Sequence, residues 1–168
     1  LLMQKVDFTS EITLESLEQL LKVLVDSNEI TPEVAAKVPV TQAYEFFQST
    51  FGQWIVQNSH AIVREQAFSY VLEANEFFKS IQTDDLMMIH GIIDGYIELD
   101  DEIIVFDYKT DYVVDSTQGI QSIVRKYKEQ LNIYADALAI SCNKNVTRKV
   151  LCLLSINKNI DIDTLKAI

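Results

Sequence analysis

The apolar residues Leu14, Leu17, Leu21, Leu24 and Val25 recur three and four apart, the spacing that lines one face of an α-helix. Glu15 and Glu18 stand near its start, where the helix dipole favours negative charge. Asn28 ends that element. Thr31-Pro32-Glu33 reads as an N-cap followed by Pro at the first helical position, opening a short helix through about Lys37 that Pro39 closes. Thr41 is placed to cap a third helix, with Tyr44, Phe47, Phe51 and Trp54 packing inward.

From His60 onward the period shifts from helical to alternating. Ala61–Leu72 and Leu86–Leu99 read as strands rich in Ile, Val, Phe and Tyr. Leu99-Asp100-Asp101-Glu102 makes a tight turn into a third strand, Ile103–Lys109. A helix follows from about Gly119 to Ser141, with Ile123, Tyr127, Leu131, Tyr134 and Leu138 on its repeat, until Asn143-Lys144-Asn145 breaks it. Lys149–Asn157 supplies a last strand. The order predicts an α/β fold, a mixed β-sheet flanked by helices. The expected division is a helical segment, residues 1–58, packed on a core of residues 59–168 within a single domain.

Bulk properties narrow the class. The chain has 168 residues, of which 48% are hydrophobic, enough for one folded domain with a real core. No apolar run approaches the roughly 18 residues of a membrane span, and no basic-then-apolar leader opens the chain. No membrane partner is expected. Its first residues are Leu1-Leu2 rather than Met, so the sequence reads as a piece of something longer. Cys142 and Cys152 stand apart and read as buried reduced thiols of a cytoplasmic protein. Two cysteines are too few for an iron–sulfur cluster. The net charge of −11 argues against tight autonomous binding of DNA, whose phosphates attract basic surfaces. It is compatible with DNA chemistry if a larger assembly delivers the strand.

The candidate chemistry sits on the second and third strands. In Phe106-Asp107-Tyr108-Lys109, alternation puts Asp107 and Lys109 on one face and Ile104, Phe106 and Tyr108 on the other. Asp94 interrupts an apolar run between Gly91 and Gly95. A short hairpin lays these strands side by side, so Asp94 and Asp107 can reach one cation. Two facing carboxylates repel unless a cation lies between them, and Mg²⁺ suits one or two carboxylates plus waters and phosphate oxygens. Gln130 and Tyr134, four apart on the following helix, share a face that can cover the strand end. Arg125, Lys126 and Lys128 form the clearest basic cluster. Singly, each of these residues is uninformative: Asp94 could be a turn carboxylate, and Gln130 or Tyr134 an ordinary interfacial residue. Their joint spacing is the signal.

Gly91-Ile-Ile-Asp94, Asp107-Tyr-Lys109-Thr-Asp111 and Gln130-Leu-Asn-Ile-Tyr134 resemble the motif set of RecB-type PD-(D/E)xK nucleases, whose fold is restriction-endonuclease-like. With Arg64-Glu65-Gln-Ala-Phe68 upstream, the wording looks closest to the C-terminal nuclease domain of the AddA (RexA) helicase–nuclease family of Gram-positive bacteria. The resemblance runs from about Phe46 to the C-terminus. It implies that Asp94, Asp107 and the backbone carbonyl of Tyr108 ligate Mg²⁺, with Mn²⁺ as a substitute. It implies that Lys109 positions the water or stabilises the transition state, that Gln130 and Tyr134 are accessory, and that Glu65 matches an acidic position. The implied partners are DNA, helicase domains upstream in the same polypeptide, and a second subunit of AddB (RexB) type. The implied action is double-strand break processing on the 3′-terminated strand. No Gly-x-x-x-x-Gly-Lys-Ser/Thr sequence occurs, so no ATP site is expected in this chain. The family also carries a metal-binding His on an upstream helix. His60 reads as a surface residue at the strand entrance, and His90 lies roughly 13 Å along the strand from Asp94. Neither fits, so the third ligand is expected to lie outside this sequence, leaving the fragment with weak metal affinity and little activity. The rival readings are a free-standing RecB-like exonuclease and a degenerate, non-catalytic scaffold for a partner protein.

Overall fold

The computed structural model describes residues 1–73 and 85–168. Helix α1 spans Leu2–Lys5, α2 Leu14–Asp26, α3 Pro32–Ala35, α4 Val40–Gln48, α5 Thr50–Gln57 and α6 Thr117–Cys142. The strands are β1 Ile62–Glu73, β2 Leu86–Glu98, β3 Glu102–Lys109, β4 Asn145–Leu153, β5 Lys158–Asp161 and β6 Lys166–Ala167. They form one six-stranded sheet in sequence order. β3 and β4 pair in parallel and every other pair is antiparallel. The sheet is mixed because α6 carries the chain back across its face between β3 and β4, as a parallel connection requires. Among the described residues no helix is long and apolar enough to cross a membrane.

Local chemistry accounts for the helix ends. Thr13 and Ser16 form a reciprocal capping box at α2: Thr13 Oγ1 accepts from Ser16 N at 3.0 Å and Ser16 Oγ from Thr13 N at 2.9 Å. Thr31 caps α3 with Pro32 at the first helical position, as its sequence predicts. Asn143 takes the left-handed conformation, φ 52°, that stops α6. Lys144 then ties the helix end to the β2–β3 turn through Glu98 Oε1 at 2.7 Å and Leu99 O at 3.0 Å.

Two expectations about the helices and the last strand need correction. Thr41 does not cap the third helix, which begins at Val40, and the helix is interrupted rather than continuous. Ser49 breaks it: its Oγ donates to Phe46 O at 2.6 Å and accepts from Gly52 N at 3.1 Å, ending α4 and capping α5. Gly52 is required there, since a Cβ would meet Phe46 O at 2.0 Å. The last strand starts at Asn145, not Lys149, and ends at Leu153. Residues 154–156 form a 3₁₀ turn, and β5 and β6 follow unanticipated. The polar run Asn145–Arg148 disguises a strand whose partner is β3, and pairing of this kind overrides local propensity.

The sheet buries both faces. On one, Leu17, Leu24, Phe46, Phe47 and Ile55 from the helices pack with Ile97, Ile104, Phe106, Val150 and Cys152. On the other, Ile123, Val124, Leu131 and Leu138 of α6 pack with Ile103, Val105, Leu151 and Leu153. Of the four aromatic residues expected inward, Phe47 and Phe51 are buried and Tyr44 and Trp54 half-buried.

Candidate functional site

β3 lies between β2 and β4, and its alternation sets the site. Ile103 and Val105 face α6, while Ile104, Phe106 and Tyr108 face the helices of residues 2–57. Asp107 and Lys109 therefore emerge on the α6 face, as the sequence predicts. Tyr108 anchors the opposite face between Phe46 and Phe106, with ring centroids 5.2 and 5.5 Å away.

Asp107 is only 2% exposed. Its Oδ2 lies 2.6 Å from Lys109 Nζ. Oδ2 is buried, and among the described residues its partner is that ammonium, with no further hydrogen bond. Burial pushes the carboxyl up to about 6; the Lys109 ammonium opposes that rise, and the Asp94 charge adds to it.

Asp94 reaches the same strand end by a different device. The β2–β3 pairing runs as far as Gly95↔Phe106. One residue further, Asp94 Oδ2 accepts from the Tyr108 amide at 2.9 Å. A side chain thus takes over where the backbone ladder stops, holding its carboxylate beside the Asp107–Tyr108 peptide.

On the other flank, Glu65 stands opposite Asp94, between the pairs Arg64↔Gly95 and Gln66↔Ile93. Its φ is 53°, a left-handed conformation that costs a non-glycine residue roughly 1–2 kcal/mol. Regular alternation fails there: Ile93 and Tyr96, three apart, both face α6, and Ile97 faces away. Strained backbone of this kind clusters at functional sites. The Glu65 side chain itself is exposed and takes no part, among the described contacts, in the network around Lys109.

The two glycines flanking Asp94 have a steric reason. A Cβ at Gly91 would meet the Phe68 ring at 2.6 Å, and one at Gly95 the Phe106 ring at 2.4 Å. Phe68 and Phe106 are their cross-strand partners, so each ring lies over the glycine it faces. Phe68 also packs edge-on against Tyr134, centroids 5.4 Å apart.

Helix α6 closes the site. Lys109 Nζ donates to Gln130 Oε1 at 3.1 Å, and Gln130 Nε2 donates to Tyr134 OH at 2.6 Å. Asp107, Lys109, Gln130 and Tyr134 thus form one continuous polar chain, with Asp94 electrostatically coupled to its carboxylate end. Burial, first of all, raises the Tyr134 phenol, which therefore stays neutral.

Several known proteins are similar to this chain. Over 162 residues, 95% of its length, it is 39% identical to an ATP-dependent helicase/nuclease subunit of the A type from Ligilactobacillus salivarius. Proteins of the same name from Enterococcus faecalis and Clostridium novyi are 38% identical over 97% of the chain and 32% over 95%. The chain is similar to one stretch of these helicase/nuclease proteins. It spans 13% of the length of each of these relatives. No family model matches it.

Among the described residues no group of three or more His, Cys, Asp and Glu is disposed to hold a metal. Mg²⁺ does not need one, because it binds through one or two carboxylates and keeps its waters. Asp94 and Asp107 supply two carboxylates at this strand end. His90 is engaged elsewhere, its Nδ1 2.9 Å from Ser69 Oγ, and His60 is exposed.

Two contributors were not singled out from sequence. Asp111 accepts from Lys126 Nζ at 2.7 Å and from Tyr127 OH at 3.0 Å; the Lys126 hydrogen bond, above all, holds its carboxyl below the usual range. Tyr127 lies under Lys109, with Nζ 4.1 Å from the ring centroid. The available signal was spacing: Tyr127 precedes Gln130 by three and Tyr134 by seven, one helical face. The basic cluster divides accordingly. Lys126 is spent on Asp111, while Arg125 and Lys128 line a surface hollow with Asp163. Both cysteines are free; Cys152 is buried, whereas Cys142, expected buried, is half-exposed near the end of α6.

Proposed function

We propose that this chain is the nuclease segment of a larger helicase–nuclease polypeptide and hydrolyses phosphodiester bonds of DNA. The observation that carries the reading is the buried Asp107 carboxylate beside Asp94, met by the Lys109 ammonium at the end of the Lys109–Gln130–Tyr134 chain. Asp94, Asp107 and the Tyr108 carbonyl would hold Mg²⁺, or Mn²⁺ in its place. That ion supplies an acidified water and neutralises charge on the phosphoryl oxygens.

The remaining work belongs to the protein. Lys109 presents a fixed positive charge where negative charge builds on the scissile phosphate, in a poorly hydrated setting that strengthens it. Gln130 restrains Lys109 by its amide oxygen, and Tyr134 restrains Gln130. Tyr108, Phe46 and Phe106 clamp β3 from behind, so the two β3 charges keep their direction. Glu65 contributes its strained backbone opposite Asp94 more than its exposed carboxylate. The excess of acidic side chains fits a site that receives its strand from helicase domains of the same polypeptide and a second subunit of AddB (RexB) type. The proposed substrate is the 3′-terminated strand during double-strand break processing in the cytoplasm.

The test uses the intact helicase–nuclease assembly with Asp107→Ala or Lys109→Ala, end-labelled duplex DNA, Mg²⁺ and ATP. Strand cleavage should vanish while unwinding continues. Cleavage at the unmodified rate by either variant removes the assignment. The lack, among the described residues, of three clustered His, Cys, Asp or Glu favours a second reading, a non-catalytic scaffold. Calorimetric titration separates the two: a scaffold takes up neither Mg²⁺ nor Mn²⁺.

A further inference from the structure

Lys109 is held from three directions, and one of them is an aromatic face. Its ammonium lies 2.6 Å from Asp107 Oδ2, 3.1 Å from Gln130 Oε1 and 4.1 Å from the centre of the Tyr127 ring. The ring is fixed in turn. Tyr127 OH donates to the two Asp111 oxygens at 3.0 Å each, and Lys126 Nζ binds the same carboxylate at 2.7 Å while lying 4.7 Å from the ring. Ser155 Oγ donates to the Asp111 backbone oxygen at 2.7 Å, which pins the segment after β3.

We propose that Tyr127 is a positioning residue: its ring, set in place by Asp111, holds the Lys109 ammonium in one position between Asp107 and Gln130. The inference rests on the nuclease reading above and deepens it. A lysine ammonium is a compact charge on a flexible stem. Its stem alone would leave the ammonium free to move between Asp107 and Gln130. A carboxylate at position 127 would prevent this only by competing for the same cation. An aromatic face attracts the ammonium through its quadrupole and offers no ligand oxygen. The phenol oxygen points away, to Asp111.

The test compares Tyr127→Met, which removes the ring, with Tyr127→Phe, which keeps the ring and loses the Asp111 bond. In the intact assembly, Tyr127→Met should lower kcat by roughly 2- to 30-fold, the range a cation–π contact supports, and leave KM unchanged. Tyr127→Phe should restore most of that loss. A readout independent of activity is the proton shift of the Lys109 ε-methylene in this chain, assigned with Lys109→Arg. The ring should move it upfield in the unmodified protein and in Tyr127→Phe, and the shift should be lost in Tyr127→Met. Equal kcat losses in both variants, a loss expressed in KM, or an unshifted ε-methylene in the unmodified protein would overturn the proposal. Lys109→Ala separates this from the parent reading. If it cleaves normally the nuclease assignment falls, while the methylene shift still decides whether Tyr127 holds Lys109.

Discussion

Replacing Asp107 with Asn should stabilise this protein increasingly as pH rises, when no metal is present. The Asp107 carboxyl is raised from 3.8 to about 6, with burial as the leading cause. Below about pH 4 it is protonated in folded and unfolded chains alike, and Asn differs little from a neutral acid. Between about pH 4 and 6 the unfolded chain has released a proton that the folded chain retains, so unfolding becomes easier as pH rises. Above about pH 6 both states are ionised and the cost is constant. A rise of about 2 pH units at about 1.4 kcal/mol each gives about 3 kcal/mol. The Lys109 ion pair is already contained in that net shift. The assay is urea unfolding in EDTA at pH 4 and pH 7.5 for both proteins. The stability difference should move by about 2–3 kcal/mol in favour of Asp107→Asn between the two conditions, part of the effect being present already at pH 4. Parallel responses of the two proteins would refute the burial argument. Adding Mg²⁺ at pH 7.5 should then raise the unmodified protein alone, because a ligand of the folded state stabilises by mass action.

Gly95→Ala places a methyl 2.4 Å from Phe106 ring atoms in a fully buried position; a loss of about 1–3 kcal/mol is expected by chemical denaturation, and an unchanged midpoint would mean the ring does not cover this glycine. Ser49→Ala removes the α5 cap, the bond to Phe46 O and the acceptor of Asn159 Nδ2 at 3.1 Å; about 1–2 kcal/mol should be lost, with thermal unfolding as the readout.

Strong periodicity and turn chemistry made most of the architecture legible. The β1–β2–β3 meander and α6 were readable because alternation and the 3.6-residue repeat persist through them. Ser49 was not readable: its role as a break depends on Gly52 allowing close approach to Phe46 O, a tertiary fact hidden inside an aromatic helical pattern. β5 and β6 escaped because four- and two-residue strands carry no period. At the site, Asp107 and Lys109 followed from strand alternation alone. Asp94 was read as reaching across to β3, but its binding to the Tyr108 amide depends on where pairing stops, which spacing does not encode. The left-handed Glu65 was equally hidden, since no Gly or Asn marks it. Tyr127 was read as one more member of the helix repeat, and only its neighbour across the fold distinguishes it.

The parallel pairing of β3 with β4 has a consequence for how the protein matures. β3 acquires its second neighbour only after the whole of α6, residues 117–142, has been synthesised and laid across the sheet. Before then Asp107 lies on an open edge, hydrated and acidic, and Lys109 has neither its glutamine nor its ring. Contacts this distant in sequence form late, because the connecting loop must close first. The growing polypeptide therefore sets Asp94 within the β2–β3 hairpin first, and Asp107 and Lys109 gain their surroundings only with α6 and β4.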